Sequence, residues 1–205
     1  DFMIAHVASE VAQNTEFCIW QGDTAAGTNN SFDGFEKLIA ASAAAGDIPA
    51  AQQVAAVAGG LDAANIIAEM SKVVDAIPAA LYGSADLKIF VAQNVYRAYV
   101  RALGGFAAAG VGANGVGGQG TNQALGNVMF DGVNVFVANG LANNYIVAAE
   151  KSNLFFGTGL LSDYNEVRVL DMANIDGSQN YRIIMRYTAG TQFGIGSDIV
   201  YYGAY

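Results

Sequence analysis

His6 is the only histidine in the chain, and Glu10 follows it by one helical turn. On a helix that spacing puts both side chains on one face, where they could offer two ligands to a metal. A zinc site takes three or four ligands, so a simple i,i+4 pair is the plainer reading. Cys18, the single cysteine, lies on the same helical stretch, about 18 Å from His6 along the axis. Thiol and imidazole therefore cannot meet within one helix. A serine triad would have to use the same His6, and no G-x-S-x-G elbow presents a nucleophile. Calcium loops fail at their ligand positions. A loop starting at Asp23 has Ala25, Gly27 and Gly34 at positions three, five and twelve; one starting at Asp171 has Ala173 and Ile175 at three and five. Asp163 with Glu166, and Asp171 with Asp176, read as turn and surface carboxylates rather than as an acid/base pair.

One motif has the outline of a cofactor site. The stretch Gly110–Gly120 reads GVGANGVGGQG, and its first six residues fit G-x-G-x-x-G. A dinucleotide turn of this kind follows a strand and opens a helix. Here a helical pattern ends near Leu103, and Val116 to Thr121 has no helical period. Eight of the seventeen residues from Gly104 to Gly120 are glycine, a density at which the match arises by chance. No charged residue stands between Arg101 and Asp131 to meet a phosphate. Gly110, Gly112, Asn114, Gly115 and Gly117 are accordingly expected in a long surface loop of small, uncharged residues. No catalytic residue, cofactor or metal is expected. A nucleotide-binding enzyme using Gly110–Gly115 is kept as an alternative, tested by titration with NAD and ATP.

Charge narrows the partners. Of 205 residues, 53% are hydrophobic and only 13% charged, against roughly 25% charged in average soluble domains. So little charge points to surface that meets protein, hence an oligomer. The balance is acidic, with 18 Asp+Glu against 9 Lys+Arg and a net charge of −9. No basic run exists to neutralise a phosphate backbone, which argues against sequence-specific nucleic-acid binding. One cysteine allows no intramolecular disulfide. The longest apolar region, Leu38 to Leu61, is interrupted by Asp47 and Pro49 and is mostly Ala and Gly, too weakly apolar for a membrane span. The chain opens at Asp1 within a helical pattern and reads as a piece of something longer.

The elements that must carry these residues divide along the chain. Ile4, Val7, Val11 and Cys18 form one stripe of a helix over about Phe2 to Trp20, stopped at Gln21-Gly22-Asp23. Asp33 is expected to cap a second helix with Phe35, Leu38 and Ile39 inward. The stretch GDIPAAQQVAAVAGG reads as loop or weak strand. A third helix from Asp62 has Ile66, Met70, Val73 and Ile77 on one face. Leu87 to Val91 reads as a buried strand. A fourth helix follows, with Asn94 as candidate N-cap and Tyr96, Tyr99 or Val100, and Leu103 inward. Beyond the glycine stretch the chain becomes β-rich. Asp131-Gly132 predicts a hairpin between NVMF and VNVFVA. NYIVAAE and NLFFGT follow, then EVRVLDM and YRIIMRY with a turn at Asp176-Gly177, and a last strand run from Thr191. Helices early and antiparallel strands late give the α+β class.

The scarce charges gather on two of those strands. Arg182, Ile184 and Arg186 share one face of YRIIMRY, and Glu166 and Arg168 share one face of EVRVLDM. If the strands pair, a Glu/Arg face lies opposite an apolar one. Two readings stand: a solvated face, or salt links between subunits made by Glu166, Arg168, Arg182 and Arg186.

The order of the pieces resembles a known family. A long helix ends in WQGD; FDGFEKLIA follows, then AIPAALYGSADLKIFVAQNVYRAYVRAL and NLFFGTGLLSDYNEVRVLDM, and antiparallel strands close the chain. Carried best by LKIFVAQNVYRAYVRAL and NLFFGTGLLSDYNEVRV, this is similar to the major capsid proteins of tailed bacteriophages, the Hong Kong 97-like shell fold. The resemblance implies a peripheral domain holding the end of a spine helix (residues 1–20), an axial domain (21–159), and a return of strands to the peripheral domain (160–205). The family's N-terminal arm and extended loop are absent from these 205 residues. It further implies a non-enzymatic subunit that self-assembles as hexamers and pentamers into an icosahedral shell. That shell encloses double-stranded DNA without sequence-specific binding. Scaffold, portal or decoration proteins are its other partners, and no membrane is involved. The protein would sit in the virion, and in the host cytoplasm during assembly, with a prophage as one source. The glycine stretch would face the centre of a capsomer. An encapsulin-type compartment shell shares the fold and stays open as an alternative, as does a secreted adhesion or surface-layer module.

Overall fold

β-Branched residues at alternating positions draw much of this chain into strands, and helices cover the sheet they form. The computed structural model describes residues 2–26, 31–103, 128–159, 167–172, 177, 180–185 and 188–203. In chain order the main elements are α1 (Phe2–Gln21), α2 (Phe35–Ala45), β1 (Gln53–Ala55), α3 (Ile66–Asp75), β2 (Leu87–Val91) and α4 (Gln93–Ala102). Then come β3 (Val128–Phe130), β4 (Val133–Val137), β5 (Ile146–Glu150), β6 (Leu154–Thr158), β7 (Val167–Asp171), β8 (Tyr181–Met185), β9 (Ala189–Phe193) and β10 (Val200–Gly203).

Six strands form one sheet in the order β1-β10-β5-β2-β4-β3. The α+β class holds, but the sheet is mixed: β2 pairs with β4, and β1 with β10, in parallel. A parallel neighbour needs a crossover, and α4 lies on the connection from β2 to β4. Leu87, Ile89 and Val91 point to one face, each below 3% exposed. There α3 contributes Ile66, Met70 and Val73, and Tyr99 of α4 meets Phe130 edge-on at 5.7 Å. On the other face Phe90 meets Trp20 from the end of α1 at 5.5 Å, and Trp20 meets Phe35 of α2 at 5.4 Å. The hairpin turn is as predicted, with Asp131 at φ 45° and Gly132 at φ 81°, the left-handed pair of a type I′ turn.

Several local expectations are corrected by tertiary partners. Asp33 does not cap α2. The N-cap is Gly34, with no side-chain cap, because Asp33 Oδ1 accepts from the Thr24 amide and hydroxyl and from Lys37 Nζ at 2.7–2.8 Å. Asn94 does not cap α4 either: it exchanges hydrogen bonds with Asn144. The buried face of α4 is Val95, Ala98 and Tyr99, with Tyr96 and Leu103 only partly covered. The stripe on α1 is buried at its C-terminal end alone, where Cys18 is 1% exposed while Ile4 is 45% exposed. The blurred stretch after α2 is a 3-10 turn (Ala50–Gln52) followed by β1.

The remaining strands form two ribbons, β6 with β9 and β7 with β8. No described residue of β7 or β8 belongs to the buried core. β10 lies between β1 and β5 in the main sheet and buries Tyr202 completely. Backbone pairing deep in the main sheet, not position late in the chain, decides where that strand goes.

Candidate functional site

The residues with the chemistry of an active centre do not converge. His6 and Glu10 are both exposed on α1, and Cys18 is buried at its far end. Among the described residues no group of three or more His, Cys, Asp or Glu could hold a metal ion. Asp163, Glu166 and Asp176 lie outside the described residues. Asp23 has a different task from ion binding: with Asp33 it holds Lys37 Nζ, at 2.6 and 2.7 Å, and this triad fixes the turn from α1 into α2. The hydrogen bond from Lys37 is the main reason the Asp33 carboxyl falls to about 2. No described helix is long and apolar enough to cross a membrane.

The loop-site residues Gly110, Gly112, Asn114, Gly115 and Gly117 also lie outside the described residues, as do Glu166 and Arg186. What precedes that stretch is α4, a helix, where a dinucleotide turn needs a strand. The two remaining interface candidates can be placed. β7 and β8 pair antiparallel, with Arg168 opposite Ile184 and Leu170 opposite Arg182. Opposite residues in such a ladder share a face, so positions 168, 170, 182 and 184 lie together and Val169 and Ile183 lie on the other side. Arg182 is exposed, and so are Val169 at 48% and Tyr181 at 62%. The face that carries Val169 and Tyr181 thus presents exposed apolar groups, while Leu170 and Ile184 on the other face are half-buried.

A more built-up arrangement joins the helices to the 138–144 loop, and sequence reasoning missed it. Glu16 Oε1 accepts from the Asn139 amide, Gln21 donates to the Gly140 carbonyl at 2.6 Å, and Glu36 Oε1 accepts from the Ala142 amide at 2.7 Å. A Cβ on Gly140 would run into the backbone of Glu16 and Phe17, so α1 lies directly on this glycine. Burial pushes the Glu36 carboxyl up to about 7, opposed in part by the Ala142 hydrogen bond. Next to it, Asn144 Oδ1 accepts from Leu61 and from Asn94. These contacts make the loop a rigid strut between α1, α2 and α4. The sequence shows polar residues at helical positions but not the partners, which are as far as 123 residues away.

The fold resembles one found in a phage procapsid structure. A chain from the satellite phage P4 procapsid including size determination (Sid) protein superposes with a TM-score of 0.58 at 11% identity, over 98% of this chain and 67% of that one. A Mycobacterium phage Che8 chain is similar over 83% of this chain and 63% of its own, at 14% identity and a TM-score of 0.48. This chain therefore spans about two thirds of each. No family model matches the sequence, and no curated protein does. At such identities the likeness is one of fold.

Proposed function

We propose that this chain is a structural subunit of a bacteriophage capsid, the major subunit of Hong Kong 97-like fold that tiles an icosahedral shell around double-stranded DNA. The observation that carries this is the shared fold with the satellite phage P4 procapsid chain over 98% of the sequence. Two features of the chain support it. The chain is poor in charge, at 13%, and one face of the β7–β8 ladder presents exposed apolar residues, Val169 and Tyr181, suited to cover by another protein surface. The role is mechanical rather than enzymatic, with hexamers and pentamers built from heterologous, ring-closing contacts.

In this reading residues 1–20 and the β7–β8 ladder belong to a peripheral region, and the six-stranded sheet with α2, α3 and α4 forms an axial domain. The final strand β10 belongs with the axial sheet. Glu166, Arg168, Arg182 and Arg186 make salt links between subunits. The stretch containing Gly110, Gly112, Asn114, Gly115 and Gly117 faces a capsomer axis, where small residues let five or six copies approach. The protein resides in the virion and, during assembly, in the host cytoplasm. Scaffold, portal and decoration proteins are its further partners.

Electron microscopy of the purified full-length protein tests the proposal. Rings or closed particles are expected, and a product that stays monomeric at high concentration overturns it. The contents of the particles separate the two shell types: nucleic acid marks a phage capsid, and cargo protein marks an encapsulin-type compartment.

A further inference from the structure

We propose that the groove between residues 61–63, the outer side of α4 and Asn143 is a contact site for a neighbouring copy of this chain, whose carboxylates are received by Arg97 and Arg101. The proposal rests on the shell-subunit reading and adds to it which flank of the sheet domain meets the neighbour.

The groove has a volume of about 380 Å³ and is lined by Asp62, Gln93, Asn94, Arg97, Arg101 and Asn143. Arg97 and Arg101 stand one helical turn apart on α4, so their guanidinium groups project side by side. Both are exposed, and neither has an ion pair among the described residues. Of the body's other basic side chains, Lys151 is exposed on the turn after β5, and three are engaged differently. Lys37 is held by Asp23 and Asp33, Lys72 by Glu69, and Lys88 donates to the Ala85 carbonyl while lying over the Phe136 ring. One carboxylate, Asp62, shares the groove with the two arginines, which leaves the lining a net positive charge. Asp62 Oδ1 accepts from the amides of Ala64 and Asn65, and Asn94 is occupied with Asn144.

The occupant follows from charge and shape. Every copy of the chain carries a net charge of −9, so its surface offers carboxylates in excess. A guanidinium fork matches a carboxylate with two parallel hydrogen bonds. Nucleic acid fits less well, because tracking a phosphate backbone takes a run of basic residues and this is an isolated pair beside Asp62. A small metabolite fits less well too, since such sites are predominantly apolar and six of the nine residues that line this groove are polar or charged.

The test uses the full-length protein and compares wild type with the double variants R97E/R101E and R97K/R101K. For R97E/R101E, unchanged circular dichroism and melting are expected, together with a rise of about tenfold in the concentration at which rings or shells form, equivalent to about 1.4 kcal/mol. R97K/R101K keeps the positive charge and assembles nearly as wild type. A carbodiimide, which couples lysine to a touching carboxylate, then links position 97 or 101 of R97K/R101K to an acid of another subunit, and mass spectrometry names that acid. Links found only within one chain, to Asp62 for example, overturn the proposal. Should R97E/R101E fail to fold, the cross-link decides alone. If R97E/R101E assembles like wild type, the groove proposal fails while the shell reading stands. If it assembles normally but its particles hold less nucleic acid, phosphate is the occupant and the proposal is overturned. A wild-type protein that never assembles overturns both.

Discussion

The six-stranded sheet and the β7–β8 ladder are both made of alternating apolar strands, yet they end in opposite environments. In the sheet, Ile89, Val91, Ile146 and Val147 are at most 1% exposed, covered by α3 and α4 on one side and by Trp20 and Phe35 on the other. In the ladder, Val169 and Tyr181 are about half exposed or more, and none of the described residues joins the core. Period-two patterning therefore specifies a strand with an apolar face but not what covers that face. The sheet is stabilised within one chain. The ladder's exposed apolar residues are left without cover from the described core, which is the surface the proposed shell role would use.

Four substitutions would break or sharpen that contrast. The largest effect is expected in the sheet. Ile89→Ala should cost about 2–5 kcal/mol in urea unfolding, because the close-packed site between β5 and β4 cannot collapse around the lost methyls.

Glu36 comes next, and its effect depends on pH. Its carboxyl is raised from 4.5 to about 7 in the folded chain, so the folded state holds this proton more tightly than the unfolded state does. Stability from this group is complete below about pH 4.5 and is lost as pH rises to about 7. Glu36→Gln keeps the acceptor for Ala142 and removes the buried charge. Melting followed from pH 4 to 8 should show the fall in this window flattened, with the variant more stable at pH 8 by up to about 3 kcal/mol.

Gly140→Ala is expected to cost about 1–3 kcal/mol by forcing α1 away from the 138–144 loop. Faster labelling of the buried Cys18 by a thiol reagent would register that movement. The smallest folding effect belongs to the ladder. Arg182→Glu should change the unfolding free energy by less than about 0.5 kcal/mol, while assembly of the full-length protein, read by sedimentation, is impaired. Unfolding caused by Arg182→Glu would show the ladder arginine to be part of the chain's own stability and would erase the contrast.

Features set by near neighbours were legible in the sequence. The face of α3 is buried as its spacing predicted, at Ile66, Met70 and Val73, and Ile77 just past its end is buried with them. The Asp131-Gly132 hairpin and the pairing of β7 with β8 also formed as expected. Where a residue had two suitable uses, the local rule gave the wrong one. Asp33 and Asn94 are of the right type for capping, but Asp33 is taken by Thr24 and Lys37 at the turn from α1 into α2, and Asn94 by Asn144 from 50 residues away. The clamp on the 138–144 loop and the Arg97/Arg101 groove were missed for the same reason. Only the i,i+4 spacing of the two arginines in YRAYVRAL hinted at the groove, and its other wall comes from residues 61–63 and Asn143.

Sequence alone determined the element types, the turn chemistry, the acidic and charge-poor surface and the weakness of every catalytic motif, since these depend on residue identity and short-range spacing. Tertiary structure alone decided that β2 and β4 run parallel, that β10 closes the sheet between β1 and β5, and which apolar faces stay open. Those outcomes come from pairing segments far apart in the chain. The free energy of such pairing lies in surfaces that exist only once the fold has brought them together.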